Sequence, residues 1–596
     1  MSWVLIAMLA VPLAGAAVLV LMEPSRRLLR WHALAVSGVT LILAIVLAAR
    51  FDYGAGQRIQ AQTDWRWISG LDLRFHVGVD GISLPLIVLS ALLSFLCFVY
   101  LGWGGGDGAG QLFRTERPRA LVFTLLVLEV GVIGTFLALD LLLFFVFFEV
   151  VLIPMYFVIA VWGGRGHGDT GTSTGVGADG ARRARSAAIK FILFTLLGST
   201  VTLLGLLLVW ARTGTLNMVE LAARHGAGMP GSVQILAFVA IAAGLAVKTP
   251  MWPLHTWLPD AHTEAPTVGS VLLAGVLLKM GTYGFARIAI PVLPEGARAL
   301  APWLGVFAVV GIIYGALACL AQRDLKRMIA YSSIGHMGFV LLGFATLTPV
   351  GINAALFGNV AHGLITGLLF FVVGGIKERY GTADMTALGG GLLARLPHVG
   401  SMLTFAAIAS LGLPGLAGFW GEMLALVGAF SPATRLSRPL YLMFMAIGGI
   451  GTVLTAAYFL IMLSRVTHGI APTAESTTYD PRAANLPRSP HPATRTPEGL
   501  RRRRAEDFAG PGAVSEPGDP LKPKEPAGPV ATTVTLADGG GRTAVGIPIW
   551  SADATPYELA AWAPLVALTV LLGLWPKALL IVTTPAVQAI VQGVTP

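Results

Sequence analysis

The sequence predicts an all-α polytopic membrane protein. About fourteen transmembrane helices are expected, with two inverted five-helix repeats, broken helices 7 and 12, and a small external β-hairpin. Three observations carry this. Of 596 residues, 55% are hydrophobic and only 12% charged, against about 25% charged in soluble domains, and apolar blocks of membrane-spanning length recur from end to end. Prolines interrupt two of these blocks, Pro250 and Pro414. Two lysines, Lys248 and Lys279, stand inside apolar sequence, where a cation at the bilayer centre costs roughly 2.5–3.5 kcal/mol. A membrane β-barrel would instead show alternating ten-residue segments.

Taken in order, the span cores fall near 3–22, 31–50, 81–102, 119–138, 141–161, 187–210, 233–252, 267–290, 301–320, 328–346, 353–376, 401–430, 439–464 and 557–582. The first lacks a basic leader and a cleavage site and reads as a retained helix. The formal charge of +10 is no nucleic-acid signature, because the basic residues sit between apolar blocks. Arg26, Arg27 and Arg30, then Arg114, Arg117 and Arg119, then Arg165, Arg182, Arg183 and Arg185 all fall in odd-to-even connections. Arg323, Lys326 and Arg327, and then Lys377 and Arg379, continue the series. The positive-inside rule puts those connections in the cytoplasm and both termini outside. Cys97 and Cys319 lie in separate apolar blocks, match no metal or redox spacing, and read as small core residues.

Between spans 2 and 3, Leu71, Leu73, Phe75, Val77 and Val79 alternate with Asp72, Arg74, His76, Gly78 and Asp80. That is a period-two strand, and Ser69–Gly70 can turn it back on the segment around Trp65 and Trp67. Its expected use is docking to a neighbouring subunit. Residues 471–556 are rich in Pro, Arg, Glu, Thr and Gly, with Arg501–Arg504 in the middle. No apolar period appears, so a disordered or loosely ordered cytoplasmic insertion is expected; a lipid-headgroup patch or a partner-binding arm are the functional alternatives. Gly163-Gly164-Arg165-Gly166 and the glycines of 171–180 read as a loop. Proline removes a backbone hydrogen bond and clashes one turn back, and a broken membrane helix persists where it is packed in protein or lines a wet cavity. The breaks in spans 7 and 12 lie five spans apart. Five is odd, so five-helix units beginning at spans 4 and 9 are inverted relative to each other, and paired interruptions point to a transporter site. The expected organisation is 1–118 for the first three helices and hairpin, 119–290 and 301–466 for the two repeats, 471–556 for the insertion and 557–596 for the last helix.

Glu149, Lys248, Lys279, His362 and Glu422 fall well inside spans 5, 7, 8, 11 and 12, and His336 lies in span 10 nearer its end. Such residues on several helices, beside two broken helices, point to a proton relay. Burial disfavours a lysine's charged form and an adjacent carboxylate restores it, so a Glu149–Lys248 pair that closes and opens would capture and release a proton. Moving one charge against 150 mV takes about 3.5 kcal/mol, at roughly 2.3 kcal/mol per 100 mV. That matches a pKa swing of about 2.5. Histidine suits the middle of such a path, with a reference pKa of about 6.5. Glu129, in span 4, is expected to be a hydrogen-bonded structural group. His255, Asp260, His262 and Glu264, on the corner after span 7, form either a proton entrance or ordinary polar loop chemistry. No phosphate loop, iron–sulfur motif or haem motif is visible.

Several motifs also match a known family: Gly78-Val79-Asp80-Gly81-Ile82-Ser83, Phe148-Glu149-Val150-Val151-Leu152-Ile153-Pro154-Met155-Tyr156, Val247-Lys248-Thr249-Pro250, His255-Thr256-Trp257-Leu258-Pro259-Asp260-Ala261-His262 and Gly418-Phe419-Trp420-Gly421-Glu422. Together they resemble the chain M family of bacterial proton-pumping NADH:quinone oxidoreductase (respiratory complex I), the counterpart of mitochondrial NADH dehydrogenase subunit 4. The resemblance covers the chain except 471–556. It implies a fourteen-helix antiporter-like fold and proton translocation driven by quinone reduction in other subunits. In the relay it implies, Glu149 pairs with Lys248, Lys279 and His362 with His336 continue it, and Glu422 ends it. It implies no cofactor in this chain, with flavin, iron–sulfur clusters and the quinone site in partner subunits. The implied partners are other membrane and peripheral complex I subunits, above all the neighbouring antiporter-like chains, and the implied location is the bacterial inner membrane. Mrp-type cation/proton antiporter subunits are the alternative; they generally carry Lys where this chain has Glu422.

Overall fold

The computed structural model describes residues 2–68, 73–102, 115–164, 176–468 and 553–594, all in the unit formed by Met1–Ala471 and Ala552–Pro596. Among them, thirteen helices are long and apolar enough to cross a membrane. A further span, the twelfth, is built from two half-helices of 14 residues each, 12a (Pro397–Ser410) and 12b (Ala417–Phe430). The spans are layered. Span 8 (Thr267–Val292) is wholly enclosed and span 11 (Pro349–Tyr380) nearly so. Spans 2 (Arg26–Ala49) and 6 (Asp179–Thr213) turn most of their surface outward. Leu193, Leu197 and Leu204 of span 6 and Ile42 and Ile45 of span 2 stand exposed, as a lipid-facing surface requires.

Helix starts follow the caps present in the sequence. Asp140 accepts from the Leu142 and Leu143 amides to open half-helix 5a (Leu141–Val150). Asp324 accepts from Arg327 N to open span 10 (Leu325–Ala345), and Thr348 accepts from Gly351 N to open span 11. Span 5 continues after Val151 as 5b (Leu152–Trp162).

Span 7 breaks where Pro250 requires. Half-helix 7a (Gly231–Lys248) ends on Lys248, and 7b (Leu258–Glu264) resumes after an irregular stretch. The carbonyls freed at the break find donors: Thr249 N bonds Leu245 O, Met251 N bonds Ala246 O, and Trp257 Nε1 bonds Val247 O at 3.0 Å. Span 12 breaks around Pro414, with Gly412 and Gly415 in the left-handed region at φ +80° and +97°. Half-helix 12b lies hard against span 11. A Cβ added to Gly421 would come within 2.7 Å of the Gly358 Cα, and one on Gly428 within 2.9 Å of the Gly351 Cα. Two glycine pairs, two turns apart on each helix, thus let the backbones touch.

Span 8 holds a feature that periodicity did not predict. It widens into π-helix over Leu273–Leu277 and again over Phe285–Ala289, with Leu278–Gly284 between them. The hairpin forms as β1 (Gln60–Ile68) antiparallel to β2 (Leu73–Val79), with Trp65 opposite Phe75 and Thr63 opposite Val77. The rings of Trp65 and Phe75 stack at 5.9 Å. The expected turn at Ser69–Gly70 and the strand start at Leu71 lie outside the described residues.

Two expectations are corrected. The last span was placed at 557–582, but the helix ends at Leu574 and a separate helix runs from Lys577 to Val594. Pro576 cannot donate, and the residue before it, Trp575, is driven out of helical geometry to φ −130°, ψ 69°. The glycine-rich loop was extended to residue 180, yet the helix that carries span 6 already begins at Val176; Gly177 and Gly180 are inside it. Arg165, the glycines before 176, and the 471–556 insertion up to 552 lie outside the described residues.

Candidate proton-relay site

Four of the six relay residues lie beside an irregularity of their helix, while His336 and His362 lie in the unbroken spans 10 and 11. Lys248 is the last residue of 7a, aimed into the protein beside the break and 3% exposed. Its ammonium donates to the Phe148 carbonyl at 3.4 Å and lies 4.3 Å from the Phe148 ring. Glu149, the next residue of 5a, is its electrostatic neighbour, but the two do not form a closed ion pair. Glu149 Oε1 is buried with no hydrogen-bond partner among the described residues. The expected pair is therefore adjacent and open.

The remaining four residues form one chain of contacts. Lys279, fully buried between the two π stretches, donates to the Ala274 carbonyl at 2.5 Å and shares a hydrogen bond of 2.6 Å with His362 Nδ1. The first π stretch supplies that carbonyl, a common role for such widened turns at functional sites. The rings of His362 and His336 meet edge to face with centroids 5.7 Å apart. His336 Nδ1 bonds Glu422 Oε1 at 2.8 Å and its Nε2 bonds Ser410 Oγ at 2.9 Å. Ser410 ends 12a and Glu422 lies in 12b, so the break in span 12 brackets the imidazole. A cavity of about 30 Å³ lies among His336, His362, Thr366, Ser410 and Glu422, enough for about two waters. All six predicted residues lie on the spans their positions implied, Lys248 as the last residue of its half-helix.

Sequence reasoning missed the groups between the clusters. Thr249, beside Lys248, buries its Oγ1 without a partner among the described residues and packs on span 8 at Gly281, where an added Cβ would lie 2.4 Å from that oxygen. Thr282 donates to Asn359 Oδ1 at 3.0 Å, tying the lysine's helix to the histidine's helix. Asn359–His362 and Lys279–Thr282 are polar pairs at helical spacing in apolar spans, a signal that could have found them. Lys326, read only as a topology charge, is 2% exposed and donates to Ala265 O at 2.9 Å. Arg287, inside span 8, was not singled out at all.

The corner after span 7 divides. Asp260 pairs with Lys190 at 2.7 Å and with Arg327 at 3.5 Å, and Glu264 pairs with Arg183 at 3.4 Å. His262 is fully buried and stacks on Phe370, centroids 4.6 Å apart, and neither ring nitrogen has a partner among the described residues. His255 lies edge-on to Tyr314. Glu129 corrects an expectation: both its oxygens are buried with no hydrogen bond among the described residues, the backbone groups beside it being committed to the helix Pro118–Leu137.

A family model described as NADH:quinone oxidoreductase/Mrp antiporter, transmembrane, matches residues 138–455. Those residues include all six relay positions. The chain belongs to this family. Among its relatives, NADH-quinone oxidoreductase subunit M of Rhodobacter capsulatus is 38% identical over 473 residues, covering 77% of this chain and 85% of that protein. NADH-ubiquinone oxidoreductase chain 4 of Arabidopsis thaliana is 37% identical, with the same two coverages, 77% and 85%. Among solved structures, a chain of respiratory complex I from Thermus thermophilus with bound NADH matches with a TM-score of 0.72 at 25% identity, covering 100% of both chains. A chain of the Mrp complex from Dietzia sp. reaches the same TM-score at 23% identity, a likeness of fold alone. The antiporter-like fold, multi-pass in the membrane, is thus common to chains of both complexes.

Proposed function

We propose that the chain is the proton-translocating M-type membrane subunit of a respiratory NADH:quinone oxidoreductase, moving protons through Glu149, Lys248, Lys279, His362, His336 and Glu422. The observation that carries this is the contact series Lys279–His362–His336–Glu422, which joins four protonatable side chains on spans 8, 11, 10 and 12. The relatives that cover most of the chain are named as subunits of that oxidoreductase.

Protons enter from the cytoplasm at the break of span 7 and reach the Lys248 ammonium. While Glu149 lies against that ammonium the proton is held there; when Glu149 moves off, it passes by Thr249 to Lys279. The Lys279–His362 hydrogen bond hands it to the imidazoles, and His336 delivers it to Glu422 for release outside. Quinone reduction elsewhere in the complex drives the cycle by electrostatic contact between neighbouring antiporter-like subunits. Flavin, iron–sulfur clusters and quinone are held by partner subunits, and this chain carries no redox centre. The protein lies in the bacterial inner membrane with both termini outside, an orientation that the placement of its basic residues supports.

The test is proton-to-electron stoichiometry in membranes containing the assembled complex. Lys248→Ala and Glu149→Ala are each expected to abolish the pumping that depends on this subunit. Wild-type stoichiometry in a fully assembled variant would sink the reading.

A further inference from the structure

Span 8 carries a second cation, Arg287, that the relay does not use. It lies in the second π stretch. Its guanidinium meets Asp80 at 2.6 Å, with side-chain exposures of 13% and 3%, and its Nε donates to the Tyr283 hydroxyl at 3.2 Å. Asp80 ends the hairpin segment and opens span 3, accepting from Ile82 N at 3.0 Å and Ser83 N at 3.1 Å. The hairpin is bonded to the connection between spans 4 and 5 as well, since Leu139 N donates to His76 O at 2.9 Å and Val77 bridges Ala138.

From this pair a packed line runs to both lysines. Tyr283 donates to the Phe136 carbonyl at 3.1 Å and its ring lies 6.4 Å from Phe144. Phe144 stacks on Phe148 at 5.4 Å, and the Phe148 ring faces the Lys248 ammonium. On its own helix Tyr283 is four residues after Lys279, hence on the same face. Resting on the relay reading above, we propose that Asp80 and Arg287 are positioning residues of the pump, fixing the rotation of span 8 so that Lys279 meets His362 and Phe148 presents Lys248.

A buried ion pair is a poor device for stability alone, since well-packed apolar residues hold helices together as well or better, and an arginine inside a span is costly to keep. Its use here is orientation: a planar guanidinium hydrogen-bonded through Nε to Tyr283 and in ion-pair contact through Nη2 with Asp80 favours one rotation of the helix. Spatial continuity is not by itself coupling, so a double-mutant cycle is required.

The experiment measures assembled complex and proton-to-electron ratio in native membranes. Asp80→Asn keeps the helix cap and leaves Arg287 unpaired, so assembled complex is expected to fall several-fold. Asp80→Asn with Arg287→Gln removes both charges; it is expected to restore assembly while the ratio drops to that of Lys279→Met. Tyr283→Phe, with no change of charge, is expected to lose at least half as much of the ratio. If the paired variant assembles with the wild-type ratio while Lys279→Met is impaired, the positioning role is wrong and the relay stands. If the paired variant does not assemble, Tyr283→Phe decides: a wild-type ratio there overturns the proposal. A wild-type ratio in Lys279→Met overturns the relay itself, and the positioning role with it.

Discussion

His336 is bonded at both ring nitrogens, to Glu422 and to Ser410. Its orientation is therefore fixed, and its Nε2 partner is a hydroxyl that can either donate or accept. Removing that hydroxyl leaves Nε2 without its partner and the ring held by Glu422 alone. Ser410→Ala is expected to slow pumping-linked turnover about 5- to 10-fold, from about 1–1.5 kcal/mol for one buried hydrogen bond, with normal assembly; single-turnover proton uptake would check it. At Asn359 the expectation is different. Asn359→Leu leaves the Thr282 hydroxyl only the Lys279 carbonyl of its own helix and removes its tie to span 11, and is expected to lower the thermal stability of the complex by about 0.5–1.5 kcal/mol, the net worth of one hydrogen bond. The polar residues were legible individually, as costly side chains in apolar blocks. Their joining was not, because a hydrogen bond between residues 279 and 362 depends on which face each helix presents, and widened turns in span 8 change that face.

Both broken helices were legible as elements because proline acts locally. Span 14 misled for the same kind of reason: the apolar run continues through Trp575–Pro576 and hides the turn there. The π stretches of span 8 left no trace in the hydrophobic pattern, since a span buried on every side has no polar stripe to mark its period. The glycine seam between span 11 and 12b predicts its own fragility. Gly421→Val would drive a branched side chain into the Gly358 backbone, and overpacking of this kind costs about 1–3 kcal/mol or more. The variant is expected to lose the Glu422–His336 contact and to accumulate poorly, as immunoblotting of membranes would show; normal levels and activity would mean the seam is looser than drawn.

For the molecule as a whole, the two ends of the body that flank the long insertion lie near one another. The stretch Ser464–His468 packs on Met385–Leu388 and Leu392–Arg395. On the far side, Asp553 accepts from His398 N at 2.6 Å and Val399 N at 3.1 Å, and Arg379 grips Glu558 at 2.6 Å. Both attachment points therefore lie around residues 385–399. Replacing 469–552 by a flexible linker of about ten residues, whose reach is roughly 5–6 Å times the square root of its length, is expected to leave assembly and stoichiometry unchanged. Loss of either would give the segment a partner-binding role.

The seam also constrains what can move. With backbone resting on backbone at two levels, span 11 and half-helix 12b behave as a single stiff plate, and His362 and Glu422 ride on it at a constant separation. Between them only His336, carried by span 10, is free of the plate. Control of the proton must then sit at the plate's margin, where the loosely held ammonium of Lys248, resting on a ring face and one carbonyl, has the least to give up when its surroundings shift.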